Sequence, residues 1–372
     1  MLGNATFTTV MSSRSMNAAR QTAASVHHFR VILRVSQPPP APTSASIPDP
    51  IQPASEGASL RTVVPVAAYL APRAAAAKRR TGAARTWYKS AVPTARDDRV
   101  LRETGALGAF IVPFLLVAFP LLYLFPNDTG NWWAWEIRPS MTALIMGAGY
   151  IAGAYFFIRV ATATRWHRVH LGFLPITAFT TFLGVATFIY WDRFDHDHVA
   201  FWIWTGLYVT TPFLVPLAWV RNRATDPGTL ESADRYVPQR ARTVLKVAGV
   251  AQFSIAVVLL ASPSTMIDIW PWPLDSLGAA TLGAWFALPG VTALMMGFDG
   301  RWSAIRITLE SQLIGLALIL LATARAWGQF DKSNALTYVF ASGIVLLFIG
   351  LAALWISMGR AVRRAPVGHS GS

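Results

Sequence analysis

The chain has 372 residues and a formal net charge of +14, yet only 13% of its residues are charged and 53% are hydrophobic. A water-soluble domain usually carries about 25% charged residues, so this composition excludes an ordinary soluble protein. The absence of cysteine excludes disulfides, iron–sulfur clusters, thiolate nucleophiles and Cys-ligated zinc.

Residues 1–102 differ in kind from the rest of the chain. Pro38, Pro39, Pro40, Pro42, Pro48, Pro50 and Pro53 make an extended stretch that cannot be helical. Residues 71–85 are mostly alanine and basic residues, which bury too little apolar surface to offset their ordering entropy. The expectation is a disordered basic extension. Its acid-free, Arg-bearing stretch up to Asp49 also fits an organellar transit peptide. A basic tail on anionic lipid headgroups is a third reading. Most of the positive charge lies here. The chain has no nucleic-acid module, Walker loop or dinucleotide fingerprint, so the charge is not a nucleic-acid signal.

Uncharged apolar runs occupy 104–127, 139–158, 171–191, 199–220, 247–267, 276–298 and 333–359. An eighth, 307–324, is broken only by Glu310. About 20 mostly apolar residues span a bilayer as a helix. The predicted fold is all-α with eight transmembrane helices. Residues 103–220 and 244–360 each hold four, joined by a polar connection at 221–243 and followed by a tail at 361–372. Asp226-Pro227-Gly228 in that connection reads as a turn.

The two groups of four repeat each other. Pro126, Trp133 and Trp135 recur 137 residues later as Pro263, Trp270 and Trp272. Arg165, Trp166, Thr187, Trp191, Phe194 and Asp195 recur 136 residues later as Arg301, Trp302, Thr323, Trp327, Phe330 and Asp331. An even number of spans per unit makes the repeat parallel, with its axis along the membrane normal. Basic residues sort by side: 17 flank the spans on the side of both termini and the 221–243 connection. The other side has four, Arg138, Arg193, Arg325 and Lys332. Positive charge stays in the cytoplasm, which places both termini there. The opposite loops carry Trp132, Trp133, Trp135, Trp191, Trp270, Trp272 and Trp327. These read as an interfacial belt, or alternatively as an aromatic binding mouth.

Few residues suggest chemistry. Glu310 is the one acid within an apolar run, and such an acid is a functional candidate because it is costly. Arg306 lies one helical turn earlier on the same face. The alternatives are an ion pair or a contact to a proton, a cation or a substrate. An isolated pair could be replaced by two apolar residues almost without cost. Leu174 stands at the matching place in the first unit, so the four-helix fold does not need the acid. Asp192, Asp195, His196, Asp197 and His198 crowd the connection after the third run. Such oxygens and nitrogens suit Mn, Zn or Fe. The competing role is helix capping by Asp197 or His198. His167 and His170 read as part of a basic interfacial cluster. Gly149, Gly153, Gly283 and Gly290 supply small surfaces for close helix packing.

The segment Trp133-Ala134-Trp135-Glu136-Ile137-Arg138-Pro139-Ser140-Met141-Thr142-Ala143 resembles bacterial multi-pass membrane proteins of no assigned activity. So do Trp270-Pro271-Trp272-Pro273-Leu274 and the turn Trp191-Asp192-Arg193-Phe194; the likeness covers roughly residues 100–360. More distantly, a four-helix unit with proline ending its first span and a glycine-rich second span is similar to DoxX-like membrane proteins. The resemblance implies a membrane four-helix fold and no residue-specific chemistry.

The expectation is a multi-pass protein of a bacterial cytoplasmic membrane, touching lipid and either a membrane partner or a second copy. No cofactor and no nucleic acid are expected. Two function classes stand open: a scaffold, sensor or complex subunit, and a small-molecule or ion transporter with its site between the repeats. A membrane enzyme using the outer Asp/His cluster is the third.

Overall fold

The computed structural model describes residues 96–232 and 234–364. The expectations for the extension up to residue 95 and for the end of the tail fall outside the described residues. Eight long helices succeed one another: α1 (Arg102–Phe119), α2 (Ser140–Thr162), α3 (Phe173–Ile189), α4 (Val199–Asn222), α5 (Gln239–Ala261), α6 (Ser276–Asp299), α7 (Trp302–Arg325) and α8 (Ala335–Arg363). A π-helical turn, Pro120–Leu124, extends α1. All eight are long and apolar enough to cross a membrane. Among the described residues there is no strand, only isolated bridges at Arg99–Arg165 and Tyr236–Arg301. The described part of the molecule is therefore all-helical and polytopic.

Local chemistry sets the helix ends. His198, Asp275 and Asn334 cap α4, α6 and α8 by accepting the N–H groups of Ala200, Gly278 and Leu336. The charge-free run expected at 247–267 is cut differently. α5 starts eight residues earlier, at Gln239, and stops at Ala261, because Pro263 opens a separate short helix through Ile267. The α6–α7 corner is two residues long. Gly300 there takes φ = 77°, a left-handed conformation that costs glycine little.

The helices pack as pairs: α1 on α2, α3 on α4, α5 on α6 and α7 on α8. The pairs then join through two further contacts, α3 on α6 and α2 on α7. α2, α3, α6 and α7 are thus central, and α1, α4, α5 and α8 are peripheral. The outer helices turn large apolar side chains outward, including Phe110, Phe213, Val244 and Leu346. That pattern is stable in hydrocarbon and unfavourable in water. At Gly149 of α2 an added Cβ would collide with the Trp285 ring of α6. At Gly290 of α6 it would lie 2.9 Å from the Phe253 nitrogen of α5, and at Gly283 the same distance from the Ala256 carbonyl oxygen. Gly153 faces the Leu115 side chain of α1.

The two halves make matching local contacts. The Asp195 N–H donates to the Ala134 carbonyl and the Asp331 N–H to the Pro271 carbonyl, each at 2.9 Å. Trp135 meets Phe194 edge-on at 5.1 Å, and Trp272 meets Phe330 edge-on at 5.2 Å. Thr187 and Thr323 each donate to the carbonyl four residues back. The Asp98 carboxylate accepts the His167 N–H, and the Asp234 carboxylate accepts the Ser303 N–H.

The tryptophans do not all form a lipid-facing belt. Trp132 is exposed, but Trp135, Trp270 and Trp272 are buried in aromatic clusters at that end of the molecule. Trp272 donates to Thr142 at 3.2 Å, and Trp204 donates to Thr187 at 2.8 Å. An indole ring buries a large apolar area, and Trp272 and Trp204 also satisfy their N–H groups, whereas Trp270 is buried without a partner.

Candidate functional site

Four places concentrate polar chemistry or open space. The first is a charge network on the basic face. Arg301 is 5% exposed and makes two forked pairs. Its Nη atoms reach both Asp226 oxygens at 2.8 Å, while Nε and Nη2 reach Asp299 at 2.9 and 2.7 Å. His170 Nε2 lies 3.2 Å from Asp299, and its Nδ1 bonds the His167 carbonyl. His167 is buried between Asp98, on Nδ1 at 2.5 Å, and Glu231, 2.9 Å from Nε2. The second approach is off-axis and leaves Nε2 without a hydrogen bond. Glu231 also pairs with Arg168 through both oxygens and with Arg165 at 2.9 Å. The 221–243 connection, in which the sequence showed only the Asp226-Pro227-Gly228 turn, is thus the acid partner of both halves. Arg165 and Arg301, matched in the repeat, each grip one of its carboxylates.

This network predicts acid sensitivity. Arg168's hydrogen bonds, working against burial and helped by Arg165, hold Glu231 down at about 2 from an ordinary 4.5. Burial alone would raise Asp226, but Arg301 and the Gly228 N–H outweigh it and lower it. A carboxylate with a depressed folded value stabilises the fold above its unfolded value and loses that contribution as pH falls through the folded one. The melting temperature in mild detergent is therefore expected to fall between about pH 4.5 and about pH 2. Glu231→Gln should flatten part of that fall. An unchanged slope in that variant would remove Glu231 from the account.

The second place is the connection between α3 and α4. His198 caps α4 through Nδ1, and its Nε2 lies 3.0 Å from the Asn131 carbonyl oxygen. His196 Nε2 lies 3.1 Å from the Trp191 carbonyl oxygen. Asp195 accepts the Asp197 N–H, closing the turn. Asp192 lies in the short helical turn Trp191–Arg193. Among the described residues no three His, Asp or Glu side chains are disposed to hold a metal ion.

Glu310 is the third place. Arg306 donates to its Oε1 at 2.9 Å, the expected pair. Two further donors come from distant helices: Tyr155 of α2 on Oε2 at 2.5 Å and Trp355 of α8 on Oε1 at 3.2 Å. The carboxylate is 17% exposed, whereas the Arg306 side chain is 59% exposed and reaches outward. Glu310 thus fastens α2 and α8 to α7. Sequence spacing pointed to Arg306 alone, because Tyr155 and Trp355 carry no signal of proximity.

The fourth place is a cavity of about 600 Å³ lined by residues of all eight helices. Phe114, Tyr150, Phe179 and Tyr208 belong to its first half, and Gln252, Trp285, Gln312 and Gly343 to its second. Its lining contains no Asp, Glu, Lys, Arg or His, and Glu310 does not take part in it. Sequence reading missed this cavity, since it arises between helices whose pairing the sequence does not reveal. Gly149 and Gly153 do line it. Comparison of the chain with protein-family models, curated proteins and solved structures gives no match.

Proposed function

We propose that this polytopic protein is a non-enzymatic binding component of a bacterial cytoplasmic membrane, a sensor or complex subunit built around its central cavity. One observation carries the reading: the cavity lining has no Asp, Glu, Lys, Arg or His. A charged solute brought into such a space would lose its hydration without a counter-charge. An ion-coupled carrier also needs titratable groups along its path. Here Glu310 is engaged by Arg306, Tyr155 and Trp355 outside the cavity lining. The matching contacts of the two halves support a parallel repeat of 104–220 and 245–358. The basic-residue bias supports cytoplasmic termini. On the Trp-rich face, Arg138 and Arg193 are paired with Glu136 and Asp275, and Arg325 donates to the Tyr123 carbonyl.

Two measurements test this. Ser232 is exposed in the 221–243 connection. A Ser232→Cys protein should react with an impermeant thiol reagent only after the membrane is opened, and labelling of intact cells would reverse the topology. Vesicles reconstituted with the protein should show no proton or cation flux above empty vesicles. A flux abolished by Glu310→Gln would establish the carrier reading instead.

A further inference from the structure

We infer that the central cavity is a specific site for a neutral lipophile whose head carries a carbonyl or hydroxyl oxygen, held between Gln252 of α5 and Gln312 of α7. The inference rests on the binding-component reading and adds the ligand's chemistry. Most polar groups of the lining are satisfied within the protein. The Tyr150 and Tyr208 hydroxyls bond each other at 2.9 Å. Thr180, Thr211 and Thr292 donate to carbonyls of their own helices, and Ser311 donates to the Ala152 carbonyl. Gln252 and Gln312 line the same space and have no such partner among the described residues. An amide without a partner in an apolar span carries a desolvation penalty. A ligand oxygen that accepts, or a hydroxyl that also donates, removes it.

Three buried atoms of the lining repeat the pattern, the Trp270 indole N–H among them. Thr308 lies one turn before Gln312 on the same face of α7, and its hydroxyl has no partner. The Trp285 indole N–H has none either. Its ring is held rigidly, edge-on to Tyr150 at 5.0 Å and tilted against Phe179 at 4.5 Å.

The unpartnered polar groups of the lining belong to the second half alone. The matching positions of Gln252, Gln312 and Thr308 in the first half are Leu115, Ile176 and Gly172. Where the first half fills space with Phe179, the second has Gly315. Four-helix packing therefore requires neither the amides nor the opening. A cavity of this volume suits one small lipophile. Its wall toward the surroundings includes Val339, Phe340, Gly343, Ile344 and Leu347 of α8, a helix whose most apolar stretch is nowhere buried. The ligand enters from the bilayer past that helix.

The test uses the full chain, purified in mild detergent, with its extracted lipophiles identified by mass spectrometry. A glycerolipid in the extract assigns the oxygen to a bilayer lipid, and a lipophile without glycerol assigns it to a free compound. The protein is then delipidated and offered a monoacylglycerol, the fatty acid anion of equal chain length, or the matching alkane. The expected result is one tightly held monoacylglycerol per chain by native mass spectrometry, with weak alkane binding and no fatty acid anion. Gln252→Leu with Gln312→Leu should weaken monoacylglycerol binding about tenfold or more while leaving alkane binding intact. Gly343→Phe should block both, because Gly343 lines the cavity and a Cβ added there meets no atom within 4 Å, which leaves room for the ring to enter. Equal binding by wild type and both variants would show annular lipid only and overturn the site. No binding in folded wild type would overturn it as well, while leaving the topology and flux results to judge the wider reading. Preferential binding of the anion would overturn both.

Discussion

Arg301→Met should cost about 2–4 kcal/mol of stability, because it strands two partly buried carboxylates rather than removing one contact. Asp226 and Asp299 both depend on that guanidinium, and its side chain is only 6% exposed. Arg301→Lys should recover little, since an ammonium cannot serve two forked carboxylates at once. Adding Asp226→Asn and Asp299→Asn to Arg301→Met should restore much of the loss by neutralising the stranded charges. The matched residue gives the control. Arg165 pairs with Glu231 from a half-exposed position, where such a pair contributes about 0–1 kcal/mol. Thermal unfolding in detergent of the paired variants checks the contrast. Equal melting of Arg301→Met and wild type would mean that the two carboxylates are solvated in place.

Glu310→Leu should cost about 2–4 kcal/mol and loosen α8, because it leaves the Tyr155 hydroxyl and the Trp355 indole N–H without an acceptor. The isolated-pair expectation, that joint replacement of Glu310 and Arg306 is neutral, therefore fails. The double variant should remain destabilised by nearly as much as Glu310→Leu, since the exposed Arg306 contributes little and the other two donors stay stranded. Glu310→Gln keeps an acceptor oxygen and should be milder. The readouts are melting temperature and protease susceptibility at the end of α8. A double variant as stable as wild type would return Glu310 to the simple pair.

The eight spans were legible because hydrocarbon thickness imposes a length of apolar chain that composition alone reveals. The criterion fails where a helix outruns the hydrocarbon. Arg240, Arg242 and Lys246 lie within α5, and Arg242 reaches round to the Gly297 and Phe298 carbonyls of α6. Charge-free counting therefore starts that helix too late. It also reads through Pro263, since proline is apolar but interrupts the helix. Which helices touch was not legible. In hydrocarbon a lipid-facing leucine and a helix-facing leucine look alike in sequence. The contacts of α3 with α6 and of α2 with α7, and with them the cavity, could not be read. The basic-face network was half visible. Arg165 and Arg301 stood out as repeated residues, but their partners Glu231 and Asp226 lie in a connection with no periodicity to announce them. Burial of the repeated tryptophans was hidden for the same reason: an amphipathic ring suits either an interface or a plugged end.

The 221–243 connection also bears on the order of assembly. Chains emerge from the ribosome N-terminus first, and early segments can fold before later ones exist. Asp98 precedes His167, and Asp226 and Asp234 precede Arg301 and Ser303, so those corners find their acids waiting when α3 and α7 arrive. Glu231 reverses the sequence of events. Arg165 and Arg168 are made well before it and lack this acid until the connection is synthesised. Arg165 and Arg168 thus acquire their counter-charge just before α5 begins, a latch set at the moment when the second half starts to enter the membrane.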